Sequence, residues 1–517
     1  MAGTVVPNLT DISLCEAVGS WTGSPTPAVQ DPTVYTAKQG TYCLQSYSAS
    51  AAARNARWDF GAATENWKDF AGKFLYFWLA FSMKDYTTGT GIITVRLTDG
   101  TGKNREWDIF DKTTLPHIGW IGWCIHADYG YDREDSGFNV NQVRYAGWLL
   151  ANSARGKVYI YWDAWRFGTG LSIKGGISGD PAAFENFYTD ELAQAYGVVD
   201  KIGGVYFVKG QIAVGSMTVD ENTYFKDLNQ VVIFQDIKGT PSGVYEIKGQ
   251  RAGTGTGATK IFLGADGIGG SVIKASSAMK FKLTLTDLGV TEFGLHGCII
   301  QNADTISLPP NNSNKKILSC NFIACGKLIA DTCVVNECKF ISSVGDAVLI
   351  NNDPHYVTGC DFISCTRGVE IDAVGDGSYE FDALTFSDTG WPHVNNTSGS
   401  TLIVANGNGS NASTYTGSTV NFTGSIQLTI TVKDEQTPPQ PIVGAFAYID
   451  DQDQEPYIMN TTTGSDGKAT VGYTGAPVTN ARWRVRKYGY KNFKQLIDIG
   501  SISIDLPVTL AVDPQQQ

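Results

Sequence analysis

Charge is scarce in this chain. Asp, Glu, Lys and Arg make up 17% of its 517 residues, against about 25% in an ordinary soluble domain. Hydrophobic residues nevertheless reach 42%, so a disordered polyelectrolyte is excluded. Basic residues are the minority, 39 against 51 acidic, for a net charge of −12. Phosphate recognition needs a basic field, so no nucleic-acid partner is expected. No run of about 18 apolar residues occurs, so no membrane-spanning helix is expected. The start, Met1 to Pro7, has neither a charged nor an apolar leader segment, which predicts no secretory signal. The ten cysteines contain no C-x-x-C pair, which argues against a zinc ribbon. They are expected as reduced thiols serving as small apolar core residues. Gly253 to Gly257 is glycine-rich but lacks the Gly-Lys-Ser/Thr ending of a phosphate loop, and is expected as a corner. The histidines, His117, His126, His296, His355 and His393, stand at no triad or metal spacing.

Glycine fills the gap, with 58 residues, alongside many Ser, Thr and Asn. That mixture suits short strands joined by turns. The length implies roughly three domains at about 150 residues each, expected at 1–170, 171–424 and 425–517. The first segment holds ten of the twelve tryptophans and several aromatic, β-branched runs, such as Lys73 to Ser82 and Trp120 to Ala127. Such runs with both faces covered predict a two-sheet sandwich. Trp120 and Trp123, framed by Gly119 and Gly122, are the candidates for an exposed sugar-stacking platform; the alternative is core packing.

The second segment opens with an amphipathic stretch, Pro181 to Tyr196. Asp180 is placed to cap it, and Ala183, Phe184, Phe187, Leu192 and Tyr196 form its apolar stripe. A loose repeat then aligns Cys298-Ile299-Ile300, Cys320-Asn321-Phe322-Ile323, Cys338-Lys339-Phe340-Ile341, Cys360-Asp361-Phe362-Ile363 and Leu384-Thr385-Phe386-Ser387, at offsets of 22, 18, 22 and 24 residues. Variable periods near 20 predict a parallel β-helix of three short strands per coil. Alternation puts Cys and Phe on one face, in inward ladders, with Asn, Lys and Asp outward. Insertions such as Asn351 to Pro354 are expected as corner loops. In the third segment, Ile426, Leu428, Ile430 and Val432 alternate with polar residues, predicting a small β-sandwich. Arg482, Arg484 and Arg486 alternate with Trp483 and Val485, giving one cationic and one core face. An acidic partner surface or a charge-protected edge strand would each explain that pattern.

Paired carboxylates are the enzymatic candidates. Glu370 and Asp372 alternate, about 7 Å apart by strand rise. Asp346 lies about one coil earlier and Asp376 on the next turn. A glycosidase needs two carboxyls about 5–10 Å apart; the competing reading is the outward polar face of a solenoid. A lyase would need a base beside calcium, and Arg367 is the nearby arginine.

Three resemblances add to this. Cys15-Glu16, Trp21, Gly40-Thr41-Tyr42-Cys43-Leu44 and Val158 to Asp163 resemble jelly-roll carbohydrate-binding modules, which implies structural calcium on Glu16 and Asp163. The repeat, with a helix before Gly203-Gly204, resembles the right-handed β-helix of pectin-lyase-like proteins and bacteriophage tailspikes. Pro441 to Ala445, Thr462 to Thr470 and Val485 to Lys491 resemble prealbumin-like or Ig-like modules. The expected fold is therefore all-β: jelly roll, right-handed parallel β-helix with a short capping helix, and Ig-like sandwich. The combination resembles bacteriophage virion surface proteins, namely tail fibres, tailspikes and head decoration proteins. It implies a non-enzymatic structural or host-attachment role, with assembly in the host cytoplasm. Other virion proteins and a host surface polysaccharide are the implied partners, and a homo-oligomer, as a trimer, the implied state. A polysaccharide depolymerase and a carbohydrate-binding adhesin are the alternatives.

Overall fold

Alternation within single strands lays out the first sheets. In Val143–Leu150, Ala146, Trp148 and Leu150 are buried in a core, while Tyr145 and Leu149 on the opposite face are half-exposed. The structure, a computed structural model, describes residues 3–33, 36–48, 53–81, 92–111, 119–150, 158–189, 191–215, 221–227, 230–235, 245–250, 257–264, 271–308, 315–330, 333–350, 357–372, 378–387, 391–408, 410–423, 426–451, 454–473, 478–499 and 504–514. Strands take 60% and helix 4% of the described residues, so the fold is all-β. It divides into two compact units, Met1–Lys315 and Lys316–Gln517.

The first unit begins with two facing sheets. One has six strands, in the order Arg133–Glu134, Asn104–Asp111, Ile92–Asp99, Val143–Leu150, Arg54–Asp59, Trp21–Ser24. The other gathers Thr4–Ser13, Cys43–Ser48 and Phe74–Phe81 around Val158–Lys174, with Ile121–His126 beyond Phe74–Phe81. Tryptophans fill the space between. Trp21 meets Trp58, Trp162 and Trp165 edge-on at 5.9, 5.6 and 5.4 Å, the geometry that a ring quadrupole favours.

Val158–Lys174 runs for 17 residues. Its first part pairs antiparallel with the sandwich strands, and its end pairs parallel with Gln211–Val214. The boundary expected at residue 170 lies inside this strand, because its backbone hydrogen bonds continue without a linker. From there, strands stack in parallel register. Val205–Val208, Val231–Phe234, Val272–Lys274 and Ile299–Gln301 form one column. Gln211–Val214, Tyr245–Gly249, Phe281–Thr284 and Ala303–Ser307 form a second. Thr223–Asp227, Thr259–Gly264 and Val290–His296 form a third.

The expected single helix is two short ones, Phe184–Thr189 and Glu191–Tyr196. The first begins four residues beyond Asp180. Asp180 sits in a turn bridged to Ile177, and the Phe184 amide instead donates to Asp227 Oδ2 at 2.7 Å. Buried Phe184 packs on Phe225 at 5.4 Å and on Tyr206 at 5.8 Å.

In the second unit three columns recur, the clearest being Asn321–Ile323, Lys339–Ile341, Asp361–Ile363 and Thr385–Ser387. The inward ladder is there. Phe322, Phe340, Phe362 and Phe386 stack at 4.9, 5.1 and 4.8 Å with planes within 10°, and Cys320, Cys338 and Cys360 are buried. All ten cysteines are buried thiols outside any disulfide. Corners carry a signal that the sequence did not show. Ser319, Glu337 and Ala383 precede these strands, and Ala324, Ser342 and Ser364 follow them, all at φ between 50° and 54°. Left-handed geometry costs an L-residue about 1–2 kcal/mol. Ala324→Gly is therefore expected to raise stability by about 0.5–1 kcal/mol, net of glycine's entropy, which thermal unfolding would detect.

The last part of this unit has two sheets sharing one core around Trp483. Ile426–Asp434 lies between Lys468–Tyr473 and Ile504–Leu510. Phe446–Asp451 lies between Gln454–Thr462 and Val478–Arg486, with Phe493–Ile499 at the edge. Trp483 and Val485 face the core as expected. Arg482 and Arg484 do not form an open cationic face, because both grip the fully buried Asp450. Asp376, His117, His355, Asn351 to Pro354 and most of Gly253 to Gly257 lie outside the described residues, as do 424 and 425, where the last boundary was expected.

Candidate functional site

The exposed face of the six-stranded sheet holds a groove. Its register places one residue from each strand in a single row: Thr22, Arg57, Gly147, Arg96, Glu106 and Arg133. Gly147 leaves a gap in that row. A Cβ there would stand 2.1 Å from the Ala56 carbonyl oxygen and 2.5 Å from Arg57 Cα, both backbone. The resulting cavity is about 350 Å³, within the size range of small-ligand sites. Arg57 and Arg96 flank it across the glycine, and Tyr145, Thr22, Asn55 and Thr98 complete its polar wall. The Arg57 guanidinium lies 4.1 Å from the centre of the Tyr145 ring. Arg96 is tied to Glu106 through Nε and Nη2.

Glu16 and Asp163 come together at a second place. Asp163 is fully buried, turned inward by a register shift beside Ala164 at φ 49°. Its Oδ2 accepts the Lys38 and Gln39 amides at 2.8 and 2.9 Å, while its Oδ1 is buried without a hydrogen-bond partner. Glu16 accepts the Thr41 amide at 2.8 Å and the Tyr42 amide at 3.2 Å. Gly40, at φ 70°, lies in the left-handed region that favours glycine, and a Cβ there would push Glu16 Oε1 away from the loop amides. Both carboxylates thus pin one loop. Burial, with the Glu16 charge, pushes the Asp163 carboxyl up to about 7. An unfolded Asp titrates near 3.9, so between about pH 4 and 7 the folded chain holds a proton that the unfolded chain has released. Stability is expected to fall as pH rises through that window, by on the order of a few kcal/mol, and to level off above it. Asp163→Asn is expected to flatten the dependence, read as melting temperature between pH 4.5 and 8.

Trp120 and Trp123 lie on the opposite sheet from the groove, on or beside Ile121–His126. Both are half-buried. The Trp120 indole donates to the Thr36 carbonyl at 2.8 Å, and Trp123 packs against the sandwich core.

The carboxylates of the second unit are brought together, but each of the first two is tied to a cation. Buried Asp346 accepts Arg367 Nε and Nη2 at 2.7 and 3.1 Å and Asn395 Nδ2 at 3.0 Å. Burial alone would raise its pKa; Arg367, Asn395 and Lys327 outweigh that and hold it below the usual range. Buried Glu370 pairs with Lys327 and accepts the Thr397 hydroxyl at 3.2 Å. Asp372 is exposed just past the end of Arg367–Ile371; partial desolvation and the Glu370 charge raise its pKa. Among the described residues no cluster of three or more His, Cys, Asp or Glu suits a metal ion, and no helix is long and apolar enough to cross a membrane.

Arg57, Arg96, Tyr145 and Gly147 were not singled out from the sequence. The strand pattern Tyr145-x-Gly147-x-Leu149 did contain a signal, since those residues alternate against Ala146, Trp148 and Leu150. Which arginines stand beside Gly147 depends on pairing register, which one strand does not encode.

No family description and no curated protein matches this chain in sequence. Similar solved structures include the C-terminal family 22 carbohydrate-binding module of Clostridium thermocellum Xyn10B, with 18% identity and TM-score 0.21, covering 31% of this chain and 90% of that one. Another is the family 11 carbohydrate-binding module of the Clostridium thermocellum cellulosomal cellulase Lic26A-Cel5E, with 10% identity and TM-score 0.22, covering 31% and 93%. A third is the catalytic domain of a GH87 alpha-1,3-glucanase in complex with nigerose, with 10% identity and TM-score 0.19, covering 85% and 79%.

Proposed function

We propose that the protein binds glycan in the groove over Gly147 and serves as a non-enzymatic structural or host-attachment component of a bacteriophage particle. The observation that carries the glycan reading is the groove itself. It pairs an aromatic ring with planar guanidinium, amide and hydroxyl groups around a floor that admits no side chain. Sugars present both apolar C–H surface and hydroxyls, and such a lining meets both. Affinity electrophoresis of the whole chain through polysaccharide gels tests it. Retardation is expected, and Tyr145→Ala is expected to remove most of it. A folded protein retarded by no polysaccharide ends this reading.

The particle role rests on the sequence resemblance and is supported by the parallel columns, which suit a stiff carrier. In this reading the columns are those of a right-handed parallel β-helix, the last sheets form an Ig-like module, and a trimer is the working state. Mass spectrometry of purified particles, giving copies per virion, decides it. A calcium ion at Glu16 and Asp163 belongs to the same proposal. The unpartnered, buried Asp163 Oδ1 beside a second carboxylate fits a hard cation that takes oxygen ligands. Calcium at pH 8 is then expected to raise the melting temperature, and chelator to reverse it.

A depolymerase remains the second reading, favoured by the raised carboxyl of Asp372 beside Glu370. It requires release of reducing ends or unsaturated uronates from polysaccharide, abolished by Glu370→Gln. The ion pairs that Asp346 and Glu370 make with Arg367 and Lys327 argue for a structural role instead.

A further inference from the structure

The charge balance around the groove is lopsided. The chain carries −12 overall, yet the cavity is lined by two arginines and no acidic residue. The carboxylates on the same face are already committed. Glu106 is held by Arg96 and, through its other oxygen, by Arg133 Nε at 2.7 Å. Asp108 accepts Arg133 Nη1 and Nη2 at 2.8 and 2.5 Å. Asp59 pairs with Arg144 at 3.5 Å. Two acids, Glu106 and Asp108, thus offset Arg96 and Arg133, and Asp59 offsets Arg144. Among the described residues Arg57 makes no ion pair, and its guanidinium lies over the face of Tyr145. A stacked guanidinium keeps its donor edges in one plane, at little further ordering cost, ready for a two-oxygen anion. Arg96 spends its Nε–Nη2 edge on Glu106 and still lines the cavity.

Resting on the glycan reading, we infer that the groove selects anionic polysaccharide. A carboxylate or sulfate group of the sugar pairs with Arg57, which Tyr145 holds in place, while the adjoining ring lies over the bare backbone at Gly147. Uronic acids and sulfate esters share this chemistry, and the experiment separates them. Titration calorimetry of the whole chain uses three probes: sodium polygalacturonate, dextran sulfate and neutral mixed-linkage β-glucan. At least one anionic polymer is expected to bind tenfold or more tighter than the glucan, with an affinity that falls as salt is raised. Arg57→Gln is expected to lose tenfold or more on that polymer, and to lose several-fold less on the glucan, for which Arg57 is one hydrogen-bonding group among several. Arg57→Lys, which keeps the charge but not the fork, is expected to fall between. Polygalacturonate alone points to a carboxylate, dextran sulfate alone to a sulfate, and both to either anion. If glucan binds as tightly as the anionic polymers and Arg57→Gln changes nothing, selection by charge is overturned while the glycan groove stands. If dextran sulfate binds but neither Arg57→Gln nor Tyr145→Ala weakens it, the anion sits elsewhere and the inference falls. If none of the three polymers binds, the glycan reading and the inference fall together.

Discussion

Phe362→Ala is expected to destabilise the second unit by about 3–5 kcal/mol, the usual cost of removing a buried aromatic side chain. Phe362 is fully buried and lies between two parallel rings, Phe340 at 5.1 Å and Phe386 at 4.8 Å. Its removal therefore opens a void that both neighbours line. Short three-residue strands with rigid corners cannot collapse into that void, which places the effect in the upper part of the range. Calorimetry would give the loss, and amide exchange in Lys339–Ile341 and Thr385–Ser387 would rise with it. Phe362→Leu, which keeps most of the volume, is expected to cost less than half as much. A loss below 1 kcal/mol for alanine would mean that the ring stack is not what holds the columns.

The second large effect concerns Asp450. Its carboxylate is fully buried and is gripped by Arg482 Nη2 at 2.8 Å and by Arg484 Nη2. Replacing both arginines with alanine strips these partners from a buried charge, and a loss of about 3–5 kcal/mol is expected. Adding Asp450→Asn to that double variant removes the charge and is expected to restore part of the loss, because a neutral amide is cheaper to bury than an ion. Urea midpoints of the double and triple variants measure this directly. If the triple variant is no more stable than the double, desolvation of Asp450 is not the cause. The same contacts explain why Arg482 and Arg484 do not form an open cationic face, while Arg486 stays exposed.

Much of the architecture was legible in the sequence because it rests on local period. The Cys-x-Phe repeat predicted the ring ladder, since alternation places both side chains on one face and parallel stacking sets like on like. Leu428, Ile430 and Val432 predicted a core face for the same reason, and all three are buried. Burial of the ten thiols followed from their spacing and from their being small and apolar. Expectations that depended on distant partners fared differently. Asp180 was placed to cap a helix, yet Asp227 takes the Phe184 amide. Glu370 and Asp346 were read as candidate catalytic carboxyls or as an outward polar face, yet Lys327 and Arg367, 43 and 21 residues away in the chain, hold them.

The amino-acid order by itself determined the all-β class, the period of the columns and which faces are apolar, since those depend on side-chain spacing of a few residues. Only the tertiary structure decided that Arg57 and Arg96 stand on either side of Gly147, and that Glu16 and Asp163 close on one loop. Strand register and loop closure join residues tens to more than a hundred positions apart, and local periodicity carries no information about such pairings.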